Sequence, residues 1–281
     1  MRILLSGSSG FIGSALLSHF VKRGDEVVPL LRKDPNFCSA KAFEGFDAVI
    51  HLAGESVMGR WTCEKKRRLW SSRVDTTRRL SAILSTLNSP PKVFLTASAI
   101  GYYGDRGETV LTEDNLQGQG FLSELCSAWE KAAEVPGIRC VHTRFGMVLG
   151  SGGALKKMRL LYKLGFGGKL GLGQQWVSWV ALEDAVRAID FALKHLEGPV
   201  NVVSPDALRQ SELAKMLAAS LHRPSFFSLP RWAVRLFFGQ MGEELFLSSA
   251  RVVPKKLQES GFHFKQTLQK VLSTLDFKES I

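Results

Sequence analysis

The chain has little of what marks several protein classes. Its four cysteines, Cys38, Cys63, Cys126 and Cys140, form no Cys-x-x-Cys pair and show no zinc-site spacing with histidine. Neither a disulfide scaffold nor a metal centre is therefore expected, and four free thiols suit a reducing cytoplasm. No stretch approaches the roughly 18 apolar residues of a membrane span, so no membrane partner is expected. The apolar run at the start is too short for a signal peptide and reads as a strand. Internal repeats and low-complexity segments are missing. Acidic residues are in deficit: 26 Asp+Glu against 37 Lys+Arg give a net charge of +11.

That positive charge is concentrated. Lys65, Lys66, Arg67, Arg68, Arg73, Arg78 and Arg79 fall in one helical region. Lys156, Lys157, Arg159, Lys163 and Lys169 form a second group. No nucleic-acid module accompanies either group, so both read as solvated helix faces, and nucleic acid is not the expected partner. With 45% hydrophobic and 22% charged residues, the chain has the composition of a soluble globular protein. At 281 residues it fits one large domain or a main domain with an appendage.

The most informative segment is Arg2-Ile3-Leu4-Leu5-Ser6-Gly7-Ser8-Ser9-Gly10-Phe11-Ile12-Gly13. A short apolar strand runs into Gly-x-x-Gly-x-x-Gly, and an amphipathic helix follows from Phe11 to Lys22. This order suits a dinucleotide pyrophosphate. Gly7 permits the tight turn, Gly10 lets the backbone approach the phosphates, and Gly13 lets helix and strand pack closely. The helix N-terminus then offers free N–H groups and partial positive charge. Gly7, Ser9, Gly10, Phe11, Ile12 and Gly13 are assigned to this cradle.

Strands are expected over 26–31, 47–52, 92–98 and 139–145, with helices over 63–87 and 121–134. Such alternation means an α/β fold, a doubly wound parallel (Rossmann) sheet that binds ligands at its carboxyl edge. After Gly150 glycine-rich loops take over, followed by a helix over 183–195, a strand over 200–203 and a helix over 211–221 with Ser211 as N-cap. The expected division is a cofactor-binding core over 1–150 and a smaller α+β lobe over 151–281, intertwined with it.

Strand two ends Leu30-Leu31-Arg32-Lys33, without the carboxylate that holds the ribose 2′-hydroxyl of NAD. An arginine there can pair with the 2′-phosphate of NADP. NADP(H) is therefore the expected cofactor, with Leu31 and Arg32 at its adenosine end, unless Arg32 is a solvated loop residue. Leu52, Ala53 and Gly54 give a small-residue floor for the adenosine half, or a simple strand exit.

The glycine fingerprint, Asp47-Ala48-Val49-Ile50-His51-Leu52-Ala53-Gly54 and Ser98-x-x-x-Tyr102-Tyr103-Gly104 together resemble the extended short-chain dehydrogenase/reductases. Trp129-Glu130, Arg144-Phe145-Gly146-Met147-Val148-Leu149-Gly150, Gln174-Gln175-Trp176-Val177-Ser178-Trp179 and Arg251-Val252-Val253-Pro254-Lys255-Lys256-Leu257 narrow the likeness to an atypical branch labelled epimerase family protein. The resemblance spans essentially the whole chain. It implies that Arg32 and Arg73 contact NADP, with Leu52 and Ala53 beside it; a salt bridge on a helix is the other reading of Arg73.

The superfamily's chemistry needs a Ser, a Tyr and a Lys. Ser98 occupies the Ser position. If Glu130 is the glutamate that follows the Lys by four residues, the Lys position is Cys126 and the Tyr position Leu122; one residue earlier they are Leu125 and Phe121. No frame from Phe121 to Glu130 holds a Tyr or a Lys. Tyr102, just past Ser98, is the substitute acid/base, or else a loop aromatic packed on the neighbouring lobe. Gln174, Gln175, Trp176 and Trp179 are candidates to grip a substrate, with core packing the other reading of the two tryptophans. The resulting expectation is an NADP(H)-dependent oxidoreductase or epimerase-like enzyme acting on a small molecule, with a non-catalytic NADP(H) sensor or scaffold as the alternative.

Overall fold

The computed structural model describes residues 1–31 and 40–274. Arg32 and Cys38 lie outside the described residues.

In chain order the elements that position the site begin with β1 (Arg2–Ser6), α1 (Phe11–Lys22), β2 (Glu26–Leu30) and β3 (Ala48–His51). Next come α2 (Cys63–Trp70), α3 (Thr76–Leu84), β4 (Val93–Ala99), β5 (Val110–Leu111), α4 (Phe121–Ala132) and β6 (Arg139–Phe145). The chain continues through β7 (Met147–Leu149), α5 (Gly153–Lys163), β8 (Gly168–Leu170), β9 (Trp176–Val177), β10 (Trp179–Ala181), α6 (Leu182–His195) and β11 (Gly198–Val202). It closes with β12 (Leu208–Arg209), α7 (Gln210–Ser220), β13 (Phe227–Leu229), α8 (Arg231–Gly242), β14 (Arg251–Val252), α9 (Lys255–Glu259) and α10 (Leu268–Ser273).

Six strands form one parallel sheet in the order β11-β6-β4-β3-β1-β2. Side chains alternate across a strand, and both faces are apolar. Ile3, Leu5 and Ile50 face Leu16 and Phe20 of α1 and Ile189 of α6. Leu4, Val49 and Phe94 face Leu80 and Leu84 of α3. A sheet buried on both sides must have helices on both sides, as a doubly wound fold requires. The strand order reverses between β1 and β3, so the crevice at their carboxyl ends is the topological switch point.

The chain after Gly150 is interlaced with this sheet. β11 supplies the sixth strand and α6 part of the core, while α7 and α10 pack in a second cluster around Leu213, Leu217 and Trp179. Two expectations shift. Helix α7 begins at Gln210, so Ser211 lies inside it; Arg209 is the N-cap, its backbone N–H donating to Glu212 at 2.8 Å. The helix expected over 63–87 is interrupted by a π-helical turn at Ser71–Asp75.

Candidate functional site

The first glycine turn is built for close approach. Gly7 has φ +78°, and a Cβ there would stand 2.8 Å from Ala53 N and Leu52 C. A Cβ on Gly13 would stand 2.0 Å from Gly7 O. Only glycine fits either position, because backbone occupies the space a side chain needs. The contact brings the end of β1 against Leu52 and Ala53, so both shores of the crevice belong to one surface. Ser9 and Gly10 are exposed there. Helix α1 has Gly10 as N-cap, with no capping side chain and no acidic residue in its first turn. Its N-terminal N–H groups therefore face the crevice without a side-chain acceptor. Leu31 lies exposed just past β2. The ring of Phe11 turns away and packs against Gly150, Gly152 and Gly153, where any Cβ would come within about 3 Å of it.

Arg73 comes from the π-helical turn, a local widening that recurs at functional sites. Its guanidinium lies against Gly54, where a Cβ would be 3.2 Å from Cζ, and over the Trp129 ring at 5.2 Å. Nη1 donates to Leu69 O at 3.5 Å. Among the described residues no carboxylate forms an ion pair with Arg73, so the salt-bridge reading of this residue is not what the fold provides. Burial lowers its pKa from the ordinary guanidinium value, countered by the electrostatic influence of Cys126 and Glu55. A half-buried cation with spare donors after β3 fits an anionic or polyhydroxyl ligand.

The other end of the crevice is closed by a buried hydrogen-bond network. Ser98 Oγ, at the end of β4, donates to Glu130 Oε1 at 2.6 Å. Arg144 from β6 grips the same carboxylate twice, Nε to Oε1 at 2.8 Å and Nη2 to Oε2 at 2.7 Å. Its Nη1 donates to Tyr103 Oη at 2.9 Å, and that hydroxyl donates to Asn201 Oδ1 at 2.7 Å. The Asn201 backbone N–H then donates to Glu113 Oε1 at 2.9 Å. Burial pushes Tyr103 up to about 12. Burial also pulls the Arg144 guanidinium down, but the hydrogen bonds and charge of Glu130 outweigh it and raise its pKa. Such a pair, fully satisfied, is rigid.

This network decides what the expected catalytic residues can do. The one proton of Ser98 is committed to Glu130, so the hydroxyl can accept a hydrogen bond but cannot also donate one to a substrate. Tyr102 is half-buried, and Arg144 Cζ stands 3.6 Å above its ring centroid. Cys126, at the Lys position, is buried beside Ser98 and Arg73, and burial pushes its thiol up to about 12. It is neutral and supplies no charge. At the Tyr position, Leu122 packs into the cluster of Trp61 and Trp129, and Glu244 accepts from the backbone N–H groups of Phe121 and Leu122 at 3.1 and 2.8 Å.

The expected substrate grip is mostly spent internally. Gln175 Nε2 donates to Leu170 O and Phe246 O, Trp176 Nε1 to Glu108, and the buried Trp179 Nε1 to Asp206 O. For Trp179 the packing alternative holds. In the basic region over 65–79, Lys65 pairs with Glu55, Arg68 with Glu64, and Arg78 with Asp75. The Glu130–Arg144 pair went unassigned at the sequence level. Its signal was present in the Trp129-Glu130 and Arg144-Phe145-Gly146 motifs, but nothing in their spacing says that they touch.

Comparison with known proteins agrees with this geometry. Residues 3–203 match the model of the NAD dependent epimerase/dehydratase family, and residues 229–274 match a domain of unknown function, DUF1731. Epimerase family protein YfhF of Bacillus subtilis is 34% identical over 285 residues, covering 94% of each chain. Epimerase family protein Mb2239 of Mycobacterium bovis is 36% identical over 281 residues, covering 93% of each. The crystal structure of human epimerase family protein SDR39U1 with NADPH superposes with a TM-score of 0.92 at 32% identity, over 98% of both chains. The chain belongs to the NAD dependent epimerase/dehydratase family of extended short-chain dehydrogenase/reductases, in its epimerase family protein branch.

Proposed function

We propose that this protein binds NADP(H) in the crevice between β1 and β3 and acts as an oxidoreductase or epimerase-like enzyme on a small molecule. The observation that carries the binding is the cradle in which Gly7 and Gly13 leave no room for a Cβ while the Arg73 guanidinium lies against Gly54, with only Nη1 hydrogen-bonded among the described residues. The uncapped N–H groups of α1 suit the pyrophosphate, and Leu52, Ala53 and Gly54 form the adjoining floor. When bound, the cofactor supplies a hydride at its nicotinamide C4. Arg73 lies beside Cys126, where relatives with ordinary chemistry carry a lysine, and its charge suits the sugar hydroxyls or phosphates of the dinucleotide. The NADPH in the human structure favours NADP(H) over NAD(H), as does the Leu31-Arg32 sequence after β2.

For catalysis, Tyr102 is the remaining proton donor at this rim, held in place by Arg144, and Ser98 can orient a substrate hydroxyl by accepting from it. Isothermal titration of NADPH and NADH tests the binding; equal affinities for the two would sink the NADP(H) assignment. Turnover is tested by NADPH oxidation across a carbonyl library with wild type and Tyr102→Phe. Loss of activity with NADPH affinity unchanged is the expected result.

A second reading, a sensor or scaffold that binds NADP(H) without turnover, draws on the commitment of the Ser98 proton to Glu130 and the neutrality of Cys126. It is selected instead if NADPH binds and no carbonyl or nucleotide sugar is turned over. A partner captured only when NADPH is present would support it.

A further inference from the structure

Helix α8 is rich in large apolar residues that are only partly covered. Ala233, Val234 and Met241 are buried, while Trp232, Leu236 and Phe237 are 67%, 61% and 64% exposed. A surface helix ordinarily keeps its large apolar side chains on the covered stripe and its polar ones outside. The exposed apolar surface continues onto neighbouring elements. β13 pairs with β8, Phe227 meets Phe166 edge-on at 5.9 Å between ring centroids, and Gly171 packs against Arg231 at the start of α8. Phe226 is 93% exposed at this junction, and Leu160 of α5 and Leu164 just past it are exposed as well.

Charge identifies the occupant. The sequence has no Asp or Glu from Val135 to Leu182, nor from Leu213 to Gly242. These two stretches contain α5, β8, β13 and α8, all the elements of the patch. Exposed cations rim it: Lys156, Lys169, Arg223 and Arg235. Glu243 is the carboxylate that meets this rim, through Arg235 at 2.7 Å and Arg231 at 3.5 Å. Trp, Phe and Leu set among Lys and Arg, with cations in excess of acids, have the chemistry of an interfacial surface that enters lipid with its apolar side chains and meets anionic headgroups with its charges. A second copy of the same face would oppose cations with cations.

We propose that the α5–β8–β13–α8 face docks this protein peripherally on an anionic lipid bilayer. The expectation of no membrane partner rested on the lack of a spanning segment, and no helix among the described residues is long and apolar enough to cross a membrane. Lying on a membrane needs no such helix.

The test is co-sedimentation of the full chain with phosphatidylcholine vesicles and with mixed phosphatidylcholine–phosphatidylglycerol vesicles, at low and high salt. Binding to the mixed vesicles alone, weakened by salt, is expected. Trp232→Ser with Phe237→Ser should lower partition about tenfold or more, since both side chains are exposed in water and buried in lipid. Lys156→Glu with Lys169→Glu should lower it roughly fivefold per removed cation. Circular dichroism melts of both variants should match the wild type. Failure to sediment with anionic vesicles, or sedimentation indifferent to both variants, overturns the proposal. A dimer in sedimentation velocity that the Trp232→Ser, Phe237→Ser variant dissolves assigns the face to a second copy and overturns it equally.

Discussion

At the ends of β1 and β3 the chain leaves hydrogen-bond donors open; at the ends of β4 and β6 it closes them. The first region is made of backbone. Gly7 and Gly13 bring strand, turn and helix so close that side chains are excluded, and α1 begins without a capping side chain. The second is made of side chains that satisfy one another, from Ser98 through Glu130 and Arg144 to Tyr103 and Asn201. An open donor set binds a ligand at little reorganisation cost, while a closed one first has to give up a bond. The two regions adjoin at the carboxyl edge of the sheet, and the first leaves more of its donors without a side-chain acceptor. Holding a dinucleotide and carrying out proton transfer are thus separable properties of this fold.

The largest expected effect breaks the closed region. Arg144→Ala leaves the Glu130 carboxylate buried without its cation and should destabilise the protein by about 3–5 kcal/mol, read from urea denaturation. A change below about 1 kcal/mol would mean that water reaches the pair. Gly13→Ala attacks the open region, since its Cβ must displace the Gly7 carbonyl. It should cost roughly 1–3 kcal/mol of stability and remove measurable NADPH binding, as followed by thermal shift with and without nucleotide. Retained binding would show that the cradle yields.

Arg73→Ala sharpens the contrast, because it should weaken NADPH by about 1.5–3 kcal/mol while leaving Ser98 and Glu130 in place. Calorimetric affinity and the melting temperature, measured together, separate a ligand contact from a packing role; a fall in stability alone would assign Arg73 to packing on Trp129.

The smallest effect concerns pH. Burial raises the Glu113 carboxyl, whose Oε2 has no hydrogen-bond partner among the described residues. Its folded pKa therefore lies above the unfolded value of about 4.3. The stability this group contributes is full below the unfolded pKa and is lost as pH rises through the folded one. Glu113→Gln should flatten the slope of stability against pH in that window, and an unchanged slope would assign it to other groups.

Much of the sheet was legible because its rules are local. Period-two apolar runs, glycine punctuation and a helix pattern after Gly10 are readable in windows of a few residues. The bounds of α1 and β6 match their sequence reading. The helix start at Gln210 was not legible, since Ser211 is the better capping residue by type, and contacts with Gln174 and Gln175 set the entry instead. Nor was the cap on α4: Glu244 reaches Leu122 across 122 residues of chain. The absence of Tyr and Lys between Phe121 and Glu130 was plain, but the neutral, buried state of Cys126 required its surroundings.

By itself the sequence determined the doubly wound class and the position of the glycine cradle, because strand period, turn geometry and the size of glycine act between near neighbours. Only the tertiary structure decided that Arg73 stands by Gly54 without an ion pair among the described residues, that Ser98 donates to Glu130, and that Trp232, Leu236 and Phe237 of α8 are left exposed. Each of those depends on burial and on partners far away in the chain, which no local pattern encodes.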